Sequence, residues 1–251
     1  MRGLMMKNGG LPVLAKGGVC AWPLPYDETG PHAARSLLHR TMAGLGLGRD
    51  VIEDGRLAVS EVATNALRYG GNAPGGRPPT CPELWVWART VPAPQLIVSV
   101  FDRARTSLPR ASGAGLLDEH GKGLGLLGEV AVEWGAGPSR ARLAPEPLHG
   151  KTVWFALPLP VSWPGLGLKV HPGTAAQCLL RALQGRGFPG RRSCDQRGIS
   201  VLELPGLNIW AHSRHFTWRA APARYARQPF IDLQETAECV VRQLDGSSSA
   251  C

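Results

Sequence analysis

A carboxylate and a carboxamide lie four residues apart in the segment from Leu57 to Gly70, LAVSEVATNALRYG. Apolar residues recur there at helical spacing and predict a helix with one buried face: Val59, Val62, Ala63 and Ala66. Glu61 and Asn65 then lie one turn apart on a different face. A carboxamide oxygen is a ligand suited to Mg²⁺, and a nearby carboxylate can accept a proton from a nucleophile. A Glu-x-x-x-Asn spacing alone is more typical of a solvated helix surface, so the motifs that follow decide the interpretation.

The next such residue ends an apolar strand. The run LIVSVF finishes at Asp102, and a buried strand rarely ends in a carboxylate that has no partner. A simple turn aspartate is the alternative at this position. The polar segment 103–120 that follows has no clear period and is typical of a lid or binding loop.

That loop leads into glycines that open a helix: Gly121, Lys122, Gly123, Leu124 and Gly125. Glycines at a helix N-terminus let backbone N–H groups approach a phosphate. A Rossmann site is excluded because no strand precedes these glycines. A Walker A loop is excluded at Gly150-Lys151-Thr152, because position 145 is Pro and a strand follows.

Composition bounds the class of protein. The chain has 251 residues, 43% of them hydrophobic and 19% charged, which suits one large globular domain or two small ones. The N-terminal segment has no apolar run typical of a signal peptide, and no 18-residue apolar stretch predicts a membrane span. The six cysteines form no C-x-x-C pair, which favours reduced thiols and a cytoplasmic location.

The net charge of +9 is unevenly placed. Residues 1–162 hold 17 Lys and Arg against 13 Asp and Glu, and residues 163–251 hold 11 against 6. The C-terminal third therefore carries +5 of the excess. Such a field favours an acidic protein partner, although it is equally typical of a soluble protein encoded by GC-rich DNA. No basic run is interleaved with aromatic residues, so nucleic acid is only weakly supported as a partner.

The ordered motifs together resemble the GHKL ATPase superfamily. Glu61-x-x-x-Asn65, Asp102 after an apolar strand, Gly121-x-Gly123-x-Gly125 and Gly150-Lys-Thr before a strand follow that family's order. Within it, residues 15–160 are most similar to the ATP-binding domains of bacterial anti-sigma-factor serine/threonine kinases. The resemblance implies an α/β sandwich of Bergerat type, with a mixed, mainly antiparallel sheet and helices on one face.

The resemblance also implies ATP and Mg²⁺ as ligands. Asn65 would coordinate Mg²⁺ and Glu61 would be the general base. Asp102 would accept a hydrogen bond from the adenine amino group, and Thr152 would lie near the base. The segment Gly121, Lys122, Gly123, Leu124, Gly125 would form the hinge of a lid over the phosphates.

The rest of the chain has no family resemblance. Residues 1–14 are expected to be a flexible tail and residues 161–173 a linker. Residues 174–246 predict a small α+β module with helices at both ends and strands between them. Asp232 and Glu235 form a capping-box pattern at the start of its last helix.

Two classes of function follow. The first is an ATP-dependent kinase that phosphorylates or sequesters a regulatory protein, of the anti-anti-sigma or sigma-factor class. The second is a non-catalytic, nucleotide-gated adaptor that binds its partner through the C-terminal module. A nucleic-acid contact through the basic module is a weaker third option. No membrane partner is expected, and self-association into a homodimer is left open.

Overall fold

The computed structural model describes residues 13–70, 80–105, 122–163, 170–195, 198–222 and 224–247. The fold is mixed α/β and contains two five-stranded sheets, in which every strand pair is antiparallel. The predicted mixture of helices and mainly antiparallel strands is therefore confirmed. Within those ranges, the helices are all too short or too polar to traverse a lipid bilayer.

Among the described residues after Gly17, the first unit contains five strands and three helices. In chain order they are β1 (Val19–Pro23), α1 (Gly30–Gly44), α2 (Arg49–Tyr69), β2 (Glu83–Arg89), β3 (Gln95–Asp102), α3 (Lys122–Val130), β4 (Glu133–Arg140) and β5 (His149–Pro158). The strand order in the sheet is β1-β2-β3-β5-β4. All three helices contribute to a core on one face of the sheet, through residues such as Leu38, Val62 and Leu127.

Strand alternation gives the two faces of this sheet different neighbours. Leu96, Val98 and Val100 of β3 pack against the helical layer. Ile97 and Phe101 point the other way and join a separate apolar cluster with Trp85 and Trp87 of β2. All of β2 and β3 is buried, so both faces of the sheet are covered.

The second unit has its own sheet and its own core. Its elements are α4 (Pro172–Gln184), β6 (Arg191–Cys194), β7 (Ser200–Leu204), β8 (Leu207–His212), β9 (His215–Ala221), β10 (Arg224–Pro229), a 3₁₀ turn (Phe230–Asp232) and α5 (Leu233–Ser247). The strand order is β10-β9-β8-β7-β6. Helices α4 and α5 pack on one face of this sheet, around Leu179, Phe216, Trp218 and Val240.

Helix α5 also joins the two units. Its opposite side packs against β2 and β4 of the first sheet. The face of that sheet away from α1, α2 and α3 is therefore covered by the C-terminal helix of the second unit.

Several local predictions differ from the structure. The spacing of Leu127, Val130, Ala131 and Trp134 predicts a helix that continues to Trp134. In the structure, α3 ends at Val130 and Trp134 lies in β4, opposite Phe155 of β5. Leu14, at the end of the predicted tail, is buried in the first core. Strands β6 and β10 were not predicted, because β6 is highly polar and β10 has no apolar alternation.

The capping-box prediction for α5 is also replaced by a different arrangement. The Asp232 carboxylate accepts hydrogen bonds from the backbone N–H and hydroxyl of Thr90 and from the backbone N–H of Val91, at 2.8, 3.0 and 3.2 Å. Glu235 accepts one from the indole of Trp87 at 3.1 Å. Both residues therefore bind the β2–β3 region of the first unit.

Candidate functional site

Glu61 and Asn65 lie on the polar side of α2, as the helical spacing predicts. Val59, Val62, Ala63 and Ala66 are buried beneath them, each at most 3% exposed. Both polar side chains are half-buried. Among the residues that the structure describes, neither makes a hydrogen bond or an ion pair. They are two adjacent polar groups that have no partner within the described part of the chain.

Asp102 ends β3 beside the C-terminal end of α2. Two glycines make this close approach feasible, because a Cβ atom at Gly70 would lie 3.0 Å from the Asp102 Cβ atom. A Cβ atom at Gly150 would lie 2.1 Å from the Asp102 carbonyl oxygen. The carboxylate is 4% exposed and lies on the same face of the sheet as the helices. The structure therefore brings Asp102 to the helix that carries Glu61 and Asn65.

Lys151 is the nearest charged partner of Asp102. The two residues are opposite each other in the β3–β5 pairing, and the Lys151 Nζ atom lies 2.8 Å from Asp102 Oδ1. The Ala104 backbone N–H also donates to Oδ1, at 2.8 Å. Within the described residues, no hydrogen bond reaches Oδ2. Burial raises the pKa of Asp102 above its ordinary value, against the lowering effect of the Lys151 ammonium.

Thr152 lies on the other face of the sheet. Successive side chains of a strand point in opposite directions, so Lys151 points to the helices and Thr152 away from them. Thr152 lines a small cavity with Trp87, Ser99 and residues of α5. The structure thus separates Thr152 from Asp102, Asn65 and Glu61.

The glycine segment is described only from its second residue. Gly121 lies outside the described residues, and α3 begins at Lys122. Gly123, Leu124 and Gly125 therefore fall within its first turn, and Gly125 is exposed. Helix α3 packs against α2, which places the glycine-containing end in the same helical layer as Asn65. Most of the predicted lid, residues 106–120, also lies outside the described residues.

The opposite face of the sheet also carries polar groups, and its buried carboxylate Glu238 is bound by neighbouring side chains, although the Nε atoms of Arg142 and Arg186 have no described partner. Glu238 of α5 accepts hydrogen bonds from Arg142 and Arg186, both at 2.5 Å, and from Ser139 at 3.2 Å. Both guanidinium groups lie about 5 Å from the ring centroid of Trp85, at 4.9 and 4.8 Å. Sequence analysis missed this cluster because its members come from both units and share no local pattern.

Electrostatics within this cluster follow from burial and from the charges present. Burial raises the pKa of Glu238, but the Arg186 and Arg142 guanidiniums outweigh it and hold the pKa at about 2. Burial, together with repulsion from Arg186, lowers the pKa of Arg142 to about 10. A carboxylate between two arginines therefore stays ionised.

A second contact connects the interface to the segment after Asp102. Arg105 donates a hydrogen bond to the Asp245 carbonyl oxygen of α5 at 2.9 Å. The buried Asp245 carboxylate also binds Arg140 of β4, with 2.8 Å between Oδ1 and the guanidinium. The end of α5 thus contacts the chain three residues beyond the candidate site.

Glu61, Asn65 and Asp102 offer oxygen atoms to a ligand. No cluster of three or more His, Cys, Asp or Glu residues within the described ranges is arranged to hold a metal. Asn65 supplies one neutral oxygen, which suits Mg²⁺ when phosphate oxygens complete its coordination. Asp102 Oδ2 can accept one hydrogen bond from a base. No protein-family model and no curated protein matches the chain.

Proposed function

We propose that the first unit binds Mg-ATP in a Bergerat-type site, and that the protein uses it to phosphorylate or sequester a regulatory protein. The observation that carries the proposal is the pair of half-buried side chains Glu61 and Asn65, which have no partner among the described residues. They lie on α2, and the C-terminal end of this helix approaches the buried carboxylate of Asp102. Half-buried side chains with no described partner can bind a ligand, and no described donor reaches the Oδ2 atom of the neighbouring Asp102 carboxylate.

Helix geometry sets the placement of such a ligand. Gly70 marks the level of Asp102, and Asn65 lies five residues earlier, or about 7–8 Å along the axis at 1.5 Å per residue. Glu61 is about 6 Å further on. A nucleotide would therefore lie along α2, with its base at Asp102 and its phosphates towards Asn65.

Each residue then has a role that matches its chemistry. Asp102 Oδ2 would accept a hydrogen bond from the adenine amino group. Lys151 donates a hydrogen bond to Oδ1 and so orients the carboxylate. Asn65 would supply an oxygen ligand to Mg²⁺, which offsets charge on the phosphates. Glu61 would accept the proton of an incoming serine or threonine hydroxyl. The exposed end of α3 at Gly125 would lie towards the phosphates.

The base assignment is tested by Asp102→Asn. A carboxamide keeps one acceptor oxygen but replaces the other with an NH₂ donor. This donor cannot accept a hydrogen bond from the adenine amino group. We expect ATP affinity to fall by about tenfold or more, while binding of tripolyphosphate stays unchanged. Both are measured by calorimetry in the presence of Mg²⁺. Equal losses for ATP and tripolyphosphate would place the defect outside base recognition.

The non-catalytic adaptor remains the second candidate, and one observation favours it. Arg105 lies three residues after Asp102 and binds α5 through the Asp245 carbonyl oxygen. Nucleotide occupancy can therefore bias the second unit without any phosphoryl transfer. An adaptor would bind its partner more tightly with ATP present and would return both molecules unmodified.

Glu61→Gln separates the two candidates. Wild-type protein and variant are incubated with radiolabelled ATP and with partners recovered by pull-down. If the protein is a kinase, transfer falls by about 10²–10⁴-fold while ATP affinity is nearly unchanged. If the wild type binds ATP but labels no recovered partner, the protein is an adaptor.

A further inference from the structure

The sheet of the second unit has one face that no described residue covers. Helices α4 and α5 pack on its inner face, against Leu202, Ile209, Phe216 and Trp218. Strand pairing places the alternate residues on the other side, in direct cross-strand register. We call this side the outer face; its members are Arg191, Ser193, Val201, Glu203, Asn208, Trp210, His212, His215, Thr217, Arg219, Tyr225 and Arg227.

Aromatic rings stand at the middle and at one edge of the outer face. Trp210 of β8 is half-buried, between Val201 of β7 and Thr217 of β9 in the pairing register. Tyr225 of the edge strand β10 is 65% exposed. Strand spacing and rise per residue put the two residues about 12 Å apart. This distance exceeds the 3.4 Å step between stacked bases and suits two bases separated along an extended strand.

The charge of the outer face is positive and nearly unopposed. Glu203 is its one acidic member, and Arg191 already binds it at 2.7 Å. Arg219 and Arg227 carry the remaining formal charge, and the exposed Arg214 and Arg224 flank them. Arg227 donates towards His215 Nδ1 at 3.2 Å. Burial and the neighbouring Arg227, His212 and Arg214 lower the pKa of His215, as expected where positive groups crowd together.

We propose that the outer face binds single-stranded nucleic acid. Arginine guanidiniums contact phosphates, and aromatic side chains stack on bases with little dependence on sequence. An antiparallel sheet with helices on one face and aromatic residues on the other is a recurring platform for single strands. A duplex fits less well, because five strands span about 19 Å or more and the major groove is about 12 Å wide.

Sequence patterns did not predict this surface, since its aromatic and basic residues are not adjacent along the chain. They come from five strands and share one side only because of the pleat and the register. The proposal is independent of the nucleotide site, which lies in the other unit. An acidic protein segment is the rival ligand, because it would respond to the same arginines.

The test uses the full chain and a fluorescently labelled oligo-dT of about 12 nucleotides, read by fluorescence anisotropy at several salt concentrations. Tyr225→Ala should weaken binding about tenfold through loss of one stacked base. Tyr69→Ala, which removes a 44% exposed tyrosine from α2, is the matched control and should have no effect. Because Tyr225 is so exposed, the variant is expected to fold normally.

Arg227→Ala tests the phosphate contact. The slope of log affinity against log salt is negative, and loss of one contact to a single strand should reduce its magnitude by about 0.7. The control Arg181→Ala removes an exposed arginine of α4 and should leave the slope unchanged. The proposal is overturned if oligo-dT does not bind at low salt, or if the duplex binds as well as the single strand. It is also overturned if labelled polyglutamate binds equally and Tyr225→Ala changes neither affinity, which would identify an acidic protein segment.

Discussion

The two sides of the first sheet differ in how their polar side chains are hydrogen-bonded. On the side that the helices cover, Glu61 and Asn65 make no hydrogen bond to any described residue, and no described donor reaches Asp102 Oδ2. On the face covered by α5, Glu238 is bound by two arginines and a serine. The Glu238 carboxylate is thus bound within the protein, although the buried Nε atoms of Arg142 and Arg186 have no described hydrogen-bond partner.

A binding site and a polar interface differ in whether their polar side chains have partners within the protein. A buried charge that is paired and hydrogen-bonded is stable within the protein. A half-buried polar group without a partner gains from a ligand instead. The covered face should therefore control the stability of the chain, and the helical face should control ligand binding with little effect on stability.

The largest effect is expected from Glu238→Ala. The variant leaves Arg142 and Arg186 buried without their shared carboxylate, and removal of one partner of a buried pair costs about 3–5 kcal/mol. Urea denaturation measures the free energy of unfolding. Glu53→Ala is the control, since its pair with Arg56 is exposed and should contribute less than about 1 kcal/mol. Equal losses of unfolding free energy in the two variants would contradict the stabilising role of the covered face.

A pH dependence should follow from Asp232, at the same interface. Burial raises its pKa from 3.8 to about 6, against the lowering effect of the Thr90 and Val91 donors. The folded state then binds more protons than the unfolded state between pH 4 and 6. The contribution of Asp232 to the free energy of unfolding therefore falls as pH rises through that window.

Asp232→Asn isolates this contribution because the amide does not titrate. The difference in unfolding free energy, wild type minus variant, should fall by up to about 3 kcal/mol from pH 4 to pH 7, at 1.36 kcal/mol per pKa unit. Urea denaturation at several pH values measures it. A difference that stays constant or rises with pH would show that the donors, and not burial, dominate this carboxylate.

The smallest effect is expected on the helical face. Asn65→Ala and Glu61→Gln should each change the free energy of unfolding by no more than about 0.5 kcal/mol, because neither side chain has a described partner to lose. Ser139→Ala is the comparator on the covered face. It removes a hydroxyl that bonds to Glu238 and Arg186, and should cost about 1–3 kcal/mol. If Asn65→Ala is the more destabilising variant, Asn65 is structural.

Local patterns predicted the elements that carry the site. Helix α2 follows from its apolar stripe, and β3 from a run of apolar residues that ends at Asp102. Both patterns depend on neighbours within a few residues, which is the range over which helical and strand periodicity is set.

Non-local pairing explains the predictions that the structure replaced. Asp232 and Glu235 have the spacing of a capping box, but Thr90 and Trp87, which donate hydrogen bonds to them, are more than 140 residues away in the sequence. Lys151 and Asp102 meet only through the β3–β5 register. Thr152 lies on the opposite face because a shift of one residue along a strand reverses the side-chain direction. None of these contacts has a signal in the local sequence.

We propose that the polar side of α2 binds Mg-ATP through Asn65. Calorimetric titration of the full chain with ATP, with and without Mg²⁺, tests it in wild type and in Asn65→Ala. We predict that Mg²⁺ strengthens ATP binding to the wild type, and that Asn65→Ala abolishes this gain while the free energy of unfolding stays within about 0.5 kcal/mol. A wild type that does not bind ATP, or a variant that keeps the full Mg²⁺-dependent gain, would contradict the account.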